Sequence, residues 1–326
     1  MTAPKVSVLI PTYNYARYLP EAIESILAQD YQNFELLISD DCSSDNSAEV
    51  IARYAAKDSR IRFQIHSENL GMVENWNWCL SQARGEYVKF IFGDDKLLST
   101  TAIGQMVHLM ESDPDISLAA SGSHLIDEHS RTIETRDCFQ PGVWDGKKII
   151  LRCLERPANL IGAPVFVMFR KRQAARGFDA RYRQLVDLEM WFHLLEQGDL
   201  VYTPEELCCF RTHGAQQTAV NRASLIGHKE LLMLFAKCSE QPWYSESSAM
   251  MRLNMLRSIR KLRNVCPRAE YKVFDKRVRE RVPKPLFYAY WIAHRIYRPF
   301  ENTTLSLRKR WLRLKQRGET SVKTPR

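Results

Sequence analysis

Two pairs of adjacent aspartates stand out by residue type and by spacing: Asp40 with Asp41, and Asp94 with Asp95. Each pair directly follows a short apolar run that is typical of a buried strand. Adjacent carboxylates in such a place can coordinate a hard divalent cation, and the cation in turn can hold a diphosphate. Either pair could instead cap the helix that follows it, a common role for aspartate. Four neighbouring carboxylates would need a cation or hydrogen-bond donors to offset the cost of their burial.

Three residues farther along the chain could also take part in chemistry. Asp187 comes just before a predicted helix, where it could cap the helix or act as a general base on an attacking hydroxyl. Glu189 would face elsewhere on that helix, so Asp187 is the better candidate. Arg211 and His213 flank one residue at the end of a predicted strand, so their side chains point to one face. That pair suits a phosphate or a metal, although an isolated Arg-x-His is more often ordinary surface.

The elements that must position these residues alternate regularly over the first hundred positions. Apolar, β-branched runs predict strands over 5–11, 34–38, 61–65 and 87–92, and helical patterns lie between them. This alternation is typical of a parallel α/β sheet with helical crossovers. Ligands bind such sheets outside the carboxyl ends of the strands. We therefore expect both aspartate pairs on the same edge of one sheet.

The pattern changes after about residue 115. Strands are predicted over 116–121, 160–169, 200–202 and 207–210, and a helix over 188–196. A less regular polar stretch containing Pro141 and Gly142 separates the first two of these strands. Beyond 223 the chain reads as helical and increasingly basic. We predict two domains, a catalytic α/β domain over 1–222 and a helical, basic C-terminal region over 223–326.

Composition favours a folded, soluble protein. The chain has 326 residues, of which 45% are hydrophobic and 26% charged, close to the averages of globular proteins. No run of 18 apolar residues predicts a membrane span, and the N-terminus does not read as a signal peptide. The eight cysteines are irregularly spaced and form no Cys-x-x-Cys pair, so we expect neither a zinc site nor a disulfide framework, and a reducing cytoplasm.

Charge is distributed unevenly. Residues 252–326 contain 22 Lys and Arg against 5 Asp and Glu, whereas the rest of the chain contains 25 basic and 33 acidic residues. Such a tail predicts a polyanionic partner, either a nucleic acid or an anionic membrane surface. The aromatic segment 285–300 and the helix predicted over 306–316 suit an interfacial position on a membrane. The same aromatic residues could instead pack onto the catalytic domain.

The order of the motifs resembles that of the family-2 glycosyltransferases, inverting enzymes of the GT-A fold that build bacterial surface polysaccharides. The matching motifs occupy residues 6–14, 35–45, 85–95, 187–191 and 202–213. Each motif alone is weak, but the ordered set is specific. The resemblance covers about residues 5–215. It implies a GT-A fold with a Rossmann-like, mainly parallel sheet flanked by helices, followed by a basic helical C-terminal extension.

The resemblance also implies roles for individual residues on the donor side. Pro11, Tyr13 and Asp41 would line the nucleoside pocket, with Asp41 bonding the base and Tyr13 near it. Asp94 would contact the ribose or the sugar, and Arg211 would close over the diphosphate. The implied donor is a nucleoside-diphosphate sugar.

On the catalytic side, the resemblance implies that Asp95 binds Mg²⁺ or Mn²⁺, with His213 closing over the metal, and that Asp187 is the base. The implied acceptor is a saccharide or a lipid-linked oligosaccharide, which would place the enzyme on the cytoplasmic face of the membrane. One departure affects the metal site. The family often has an acidic residue where this chain has Phe92 or Gly93, so metal affinity without nucleotide should be weak.

Two other functions remain as alternatives. A nucleotidyltransferase would need a Gly- and Lys-rich phosphate loop after the first strand, and here residues 12–17 contain no glycine. A nucleic-acid-binding protein could use the basic tail, in which aromatic residues alternate with arginines that could stack on bases. No recognised nucleic-acid-binding motif appears, however, and the acidic part of the chain would repel a polyanion. The transfer of a sugar is the favoured interpretation.

Overall fold

The computed structural model describes residues 3–214, 216, 225–244, 249–263 and 266–293. The chain divides into two compact units, Met1–Ser245 and Glu246–Arg326. The boundary predicted after residue 222 falls outside the described residues. The helix Ile226–Cys238, which follows that predicted boundary, belongs to the first unit.

The first part of the chain confirms the predicted alternation of strands and helices. The elements are β1 (Val6–Thr12), α1 (Leu19–Leu27), β2 (Phe34–Asp40), α2 (Ser47–Ala55), β3 (Ile61–Ile65), α3 (Met72–Gln82) and β4 (Tyr87–Phe90). Every residue of β1, β2 and β4 is buried, which explains why these strands read as nearly continuous apolar runs.

The remaining elements of the first unit depart more from expectation. They are β5 (Lys96–Leu97), α4 (Ala102–Glu111), β6 (Ile116–Ile126), β7 (Thr132–Arg136), β8 (Gly142–Trp144), α5 (Gly146–Glu155), β9 (Val167–Arg170), α6 (Val186–Leu195), β10 (Asp199–Arg211) and α7 (Ile226–Cys238). The strand predicted over 160–169 was wrong over 160–166, because a 3₁₀ turn at Pro164–Phe166 precedes β9, which begins at Val167. The two short strands predicted after residue 200 form one strand, β10, whose register with β6 shifts between Thr203 and Glu206.

The ten strands found among the described residues belong to one sheet, in the order β3-β2-β1-β4-β9-β6-β10-β5, with β7 paired to β6 and β8 to β10. Strands β1 to β4, β6 and β10 run in the same direction, while β9 and β5 run against them. The sheet is therefore mainly parallel, as predicted. The carboxyl ends of β1, β2, β4 and β10 share one edge, and both aspartate pairs lie there.

A polar network at the opposite edge fixes β4 beside β1. The backbone N–H groups of Arg84 and Gly85 donate to Ser7 Oγ at 3.0 and 2.8 Å, and Ser7 Oγ donates to Glu35 Oε1 at 2.6 Å. Gly85 lies so close to β1 that a Cβ atom there would be 2.5 Å from the backbone nitrogen of Ser7. The pairing of β1 with β4, which places the Asp94–Asp95 turn, thus depends on glycine at position 85.

The described part of the second unit is helical, as predicted, and contains α8 (Ala249–Leu262) and α9 (Arg268–Arg281), followed by a helical stretch over 284–293. The guanidinium of Arg279 lies 4.4 Å from the ring centre of Phe287. Tyr288 and Ile292 remain 59% and 61% exposed. Within the described residues, no helix combines the length and the apolar character needed to cross a membrane. The predicted helix over 306–316 and residues 294–300 lie outside the described part of the chain.

The close approach at Gly85 generates a stability prediction. Gly85→Ala should lower the free energy of unfolding by about 1–3 kcal/mol, because the added methyl group forces β1 and β4 apart. Gly104→Ala in α4 is the matched control. Its Cβ atom would have no neighbour closer than 3.7 Å, and alanine favours helix, so a gain of up to about 1 kcal/mol is expected. Urea denaturation measures both, and an unchanged midpoint for Gly85→Ala would show that the strands can adjust.

Candidate active site

Asp40 and Asp41 organise two loops at the carboxyl edge of β2. The carboxylate of Asp40 accepts hydrogen bonds from the backbone and the hydroxyl of Ser43, at 3.0 and 2.5 Å. The carboxylate of Asp41 accepts from the backbone N–H groups of Leu70 (2.6 Å) and Gly71 (3.0 Å). Gly71 has a φ of 86°, which favours glycine, so the loop can fold closely around Asp41. These donors offset the burial of both charges.

The expected nucleoside-binding residues lie on adjoining loops. Pro11 is buried in β1, whereas Tyr13, one residue beyond the strand, is 47% exposed. The backbone N–H of Asp41 donates to Thr12 O at 2.9 Å, which joins the end of β1 to the end of β2. Asn14 strengthens this connection, because its side-chain oxygen accepts from the backbone of Ser44 at 2.8 Å. Tyr13 and Asp41 are thus held on linked loops of one edge.

Asp94 and Asp95 are buried at the turn after β4, with 4% and 1% exposure. Asp95 Oδ1 accepts a hydrogen bond from the backbone N–H of Arg211 at 2.9 Å. Asp95 Oδ2 is buried and has no hydrogen-bond partner among the described residues. Burial and the charge of Asp94 raise the pKa of Asp95 well above its ordinary value, while Arg211 and Lys89 act in the opposite direction. An unpaired, buried carboxylate oxygen of this kind suits a bound cation.

Lys89 is a charged neighbour that sequence reasoning missed. It is fully buried in β4, and its ammonium group donates to the backbone oxygens of Val165 and Val167. Burial lowers the pKa of Lys89, while the adjacent Cys208 and Asp95 raise it. A lysine in the middle of an apolar strand is a readable signal, because unpaired charges are rarely buried.

Residues after β10 contact the carboxylate of Asp94. His213 Nε2 lies 3.1 Å from Asp94 Oδ2, and Gln216 Nε2 donates to the same oxygen at 3.0 Å. The imidazole of His213 is also packed against two aromatic rings, with centre-to-centre distances of 5.7 Å to Tyr15 and 5.4 Å to Tyr18. The structure therefore brings His213 to the aspartate pair. Gln216 was not anticipated, and no spacing in the sequence singles it out.

Arg211, the last residue of β10, also contacts the turn that carries Asp94 and Asp95. Its guanidinium is 1% exposed and donates to the backbone oxygen of Asp94 (2.7 Å), to the backbone oxygen of Asp127 (3.1 Å), to Ser130 Oγ (2.9 Å) and to Glu21 Oε2 (2.5 Å). These bonds connect α1, the turn between β6 and β7, and the turn after β4. The predicted contact of Arg211 with a diphosphate would require the guanidinium to exchange one of these partners.

Asp187 lies in the first turn of α6 and is partly exposed. Its Oδ2 accepts from the amide of Asn159 at 2.8 Å, and its Oδ1 accepts from the backbone of Leu188 at 2.7 Å. Burial, with a smaller contribution from the charge of Glu230, raises the pKa of Asp187 to about 6, although the two hydrogen bonds act to lower it. A carboxylate with this proton affinity is suited to general base catalysis near neutral pH.

Glu189, the nearby acid on the same helix, has a structural role. It is 1% exposed and forms ion pairs with Arg176 at 2.7 Å and Lys237 at 2.6 Å. Its side chain is thus engaged with groups other than Asp187, as the helical spacing predicted.

The structure explains the missing acidic residue of the metal motif. A Cβ atom at Gly93 would lie 2.5 Å from Thr12 Oγ1 and 3.2 Å from Tyr15 Cβ, so a larger side chain there would force both neighbours to move. The ring of Phe92 packs 4.8 Å from that of Trp76. Among the described residues, no group of three or more His, Cys, Asp and Glu side chains is arranged to hold a metal ion. The residues fit a cation that takes a ligand from Asp95 and others from a bound diphosphate and water.

A separate cavity of about 690 Å³ lies at the amino end of β4, lined by parts of α3 and by residues 170–177. None of the predicted site residues lines it.

Comparison with other proteins places the chain in a family. A sequence model described as Glycosyl transferase family 2 matches residues 7–177. EpsE of Bacillus subtilis, which is assigned as a glycosyltransferase, is 30% identical over 213 residues, or 63% of this chain and 72% of EpsE. The GalNAc(5)-diNAcBac-PP-undecaprenol beta-1,3-glucosyltransferase of Campylobacter jejuni is 41% identical over 97 residues, or 29% of this chain and 31% of that enzyme.

Two solved structures are similar in fold. Staphylococcus aureus TarS 1-349 in complex with UDP-GlcNAc has a TM-score of 0.64 at 15% identity, over 86% of this chain and 82% of that one. The mannosyltransferase PcManGT of Pyrobaculum calidifontis, in complex with GDP-Man and Mn²⁺, has a TM-score of 0.56 at 17% identity, over 92% and 88%. The match of the family model over half of the chain, together with the relatives and this shared GT-A architecture, shows that the chain belongs to glycosyl transferase family 2.

Proposed function

We propose that this glycosyltransferase moves a sugar, with inversion, from a nucleoside-diphosphate sugar to a hydroxyl of a saccharide or lipid-linked acceptor in cell-surface polysaccharide synthesis. One observation carries the proposal. Within the part of the chain that the structure describes, the buried Asp94–Asp95 pair retains a carboxylate oxygen without a partner, on the same sheet edge as the linked loops of Tyr13 and Asp41. An edge of this kind can receive a nucleotide on the loops and a cation with its diphosphate at the pair.

The donor would be bound by residues of three turns. Tyr13 and Asp41, with Pro11 beneath them, would contact the nucleoside, and Asp94 the ribose or the sugar. Support comes from the half-exposed ring of Tyr13 and from the rigid attachment of Asp41 to the loop at Gly71. TarS and PcManGT, which share the fold, are complexed with UDP-GlcNAc and GDP-Man.

Mg²⁺ or Mn²⁺ would be held by Asp95, with His213 beside it. Asp95 Oδ2 has no partner among the described residues, and burial and the charge of Asp94 raise the pKa of Asp95, as expected where a cation would stabilise the carboxylate; both observations support this assignment. When bound, the cation supplies Lewis-acid stabilisation of the leaving diphosphate. PcManGT is complexed with Mn²⁺. Because glycine at position 93 removes one possible carboxylate, binding of the metal and of the nucleotide should support each other.

Asp187 would accept the proton of the acceptor hydroxyl. As that proton moves to the carboxylate, the hydroxyl oxygen attacks the anomeric carbon from the face opposite the leaving nucleoside diphosphate. A single displacement inverts the configuration, so an α-linked donor yields a β-linked product. The raised pKa of Asp187 strengthens it as a base while leaving it mainly ionised at neutral pH.

The C-terminal unit would attach the enzyme to the cytoplasmic face of an anionic membrane. Lys284, Tyr288 and Ile292 follow each other at intervals of four residues in the helical stretch 284–293, and so share one helix face. Tyr288 and Ile292 are exposed, which suits insertion among lipid headgroups beside a lysine. The named substrate of the Campylobacter jejuni relative is linked to undecaprenol, a membrane lipid. A lipid-linked acceptor would be reached from such a position.

The alternative of nucleotidyl transfer receives no support from the loop after β1. The backbone N–H of Asn14 donates to Ser43 Oγ at 2.8 Å, and that of Ala16 donates to Asp45 Oδ2 at 2.9 Å. A phosphate loop needs backbone N–H groups that are available to the phosphates. Here side chains of the neighbouring loop already engage two of them.

The first prediction concerns the donor. In a panel of UDP-, dTDP- and GDP-sugars, one donor should bind in a Mn²⁺-dependent manner, and Asp95→Asn should weaken that binding about tenfold or more, because a charged ligand is lost. Asp58→Asn is the matched control, since Asp58 pairs with Arg60 on a different loop, and it should bind as wild type does. Calorimetry measures the affinities. If no donor binds in the presence of Mn²⁺ or of Mg²⁺, the proposed activity is refuted.

The second prediction concerns the base. Asp187→Asn should lower kcat by about 10²-fold or more while changing donor affinity little, because the carboxylate acts only on the acceptor proton. Wild-type kcat/KM should fall as the pH drops below about 6, since protonated Asp187 cannot accept a proton. Steady-state rates from pH 5 to 9 test both statements. Wild-type turnover in Asp187→Asn would remove this residue from the mechanism.

The third prediction concerns the membrane. The full-length protein should co-sediment with vesicles of phosphatidylglycerol and phosphatidylcholine at low salt, and less at high salt. The double variant Tyr288→Ser, Ile292→Ser should bind less. Ile133→Ser is a matched control, because Ile133 is similarly exposed but lies in β7 of the first unit. Protein that stays in the supernatant at low salt would refute membrane attachment.

A further inference from the structure

Asn159 is oriented by its own loop so that its amide points at Asp187. Its Oδ1 accepts from the backbone N–H of Gly162 at 3.0 Å, and its Nδ2 donates to the backbone oxygen of Gly162 at 2.9 Å. The same Nδ2 donates to Asp187 Oδ2 at 2.8 Å. The backbone oxygen of Gly162 also accepts from the indole of Trp191 at 3.0 Å, which ties the loop to α6. Both ends of the amide are therefore fixed: one N–H of Nδ2 bonds to Gly162 and the other is directed at the carboxylate of Asp187.

Glu230 fixes Asp187 from another element. This side chain on α7 is 1% exposed, and its carboxylate accepts three backbone hydrogen bonds: from Arg183 (2.7 Å), Gln184 (2.9 Å) and Leu185 (2.7 Å). These three residues immediately precede α6. A buried carboxylate thus holds the turn that delivers Asp187 to its place.

We infer that Asn159 and Glu230 are positioning residues for the general base, Asn159 by orienting and stabilising the ionised carboxylate of Asp187 and Glu230 by fixing the turn before it. The inference rests on the proposed function, in which Asp187 is the base. Neither residue need contact the substrate.

The two residues act on the proton affinity of Asp187 in opposite directions. The hydrogen bond from Asn159 favours the carboxylate and lowers its pKa, whereas the negative charge of Glu230 raises it. On the helix of Asp187 itself, Glu189 is already paired with Arg176 and Lys237. Substitutions at 159 and 230 should therefore shift the pH dependence with opposite signs, a result that general destabilisation of the fold would not give.

The experiment compares kcat/KM from pH 5 to 9 for wild type, Asn159→Ala, Glu230→Gln and the control Glu189→Gln. Asn159→Ala should raise the pH at which kcat/KM falls on the acidic side (the acid limb) by about one unit, so that activity falls about fivefold at pH 6 and recovers at pH 8.5. Glu230→Gln should shift the acid limb to lower pH. Glu189→Gln removes a buried acid of α6 and should lower stability without shifting the acid limb.

A second measurement needs no substrate. The pKa of Asp187 is raised in the folded state, so its protonated form is favoured there, and the resulting stability is lost as the pH rises from about 4 to about 6. The difference in unfolding free energy between wild type and Asp187→Asn should follow this window. The same difference measured in the Asn159→Ala background should extend to higher pH, and in the Glu230→Gln background it should end at lower pH.

The outcomes separate the inference from the proposed function. Unshifted acid limbs and unshifted stability windows in both variants would overturn the inference while leaving Asp187 as the base. Full turnover by Asp187→Asn would refute the base, yet the stability windows would still show whether Asn159 and Glu230 set its proton affinity. Should one variant fail to fold, the other gives an independent result of opposite sign.

Discussion

The turn that carries Asp94 and Asp95 keeps its shape because Arg211 bonds to it from the end of the last long strand. The backbone N–H of Arg211 donates to the carboxylate of Asp95, and its guanidinium donates to the backbone of Asp94. The remaining donors contact α1 through Glu21 and the turn after β6 through Ser130. The buried guanidinium of Arg211 thus joins both halves of the sheet at the edge where a ligand would enter.

Such an arrangement concentrates charge in a place that water hardly reaches. Asp94, Asp95, Lys89 and Arg211 are all less than 5% exposed, and burial of a charge is tolerated only when partners compensate it. Lys89 donates to backbone oxygens, and the guanidinium of Arg211 is shared among backbone oxygens, Ser130 and the carboxylate of Glu21, so the two cations neutralise Asp94 and Asp95 only in part. These two cations therefore do not fully compensate the charge of the aspartate pair. A bound cation would complete it, which agrees with the chemistry expected of a diphosphate-binding enzyme.

Much of the first half of the sheet could be predicted because short stretches of sequence determine where its strands begin and end. Strands buried on both faces appear as apolar runs, and polar residues mark their carboxyl ends, so the edge that gathers Asp41 and Asp95 followed from the alternation alone. Strand β7 was missed because all five of its residues are exposed and polar positions dominate it. Asn159 and Glu230 were missed for another reason. Each acts on residues distant in the sequence, Asn159 on Asp187 and Glu230 on the turn 183–185, and such contacts leave no periodicity in the sequence.

The tight contact between Gly93 and Thr12 has a consequence for how this site can vary. A side chain at position 93 would meet the hydroxyl of Thr12, which is buried and has no hydrogen-bond partner within the described part of the chain. A carboxylate at position 93 would require Thr12 to shift or to be replaced by a smaller residue. Position 12 at the end of β1 and position 93 in the turn after β4 therefore constrain each other, and related chains should change them together or not at all.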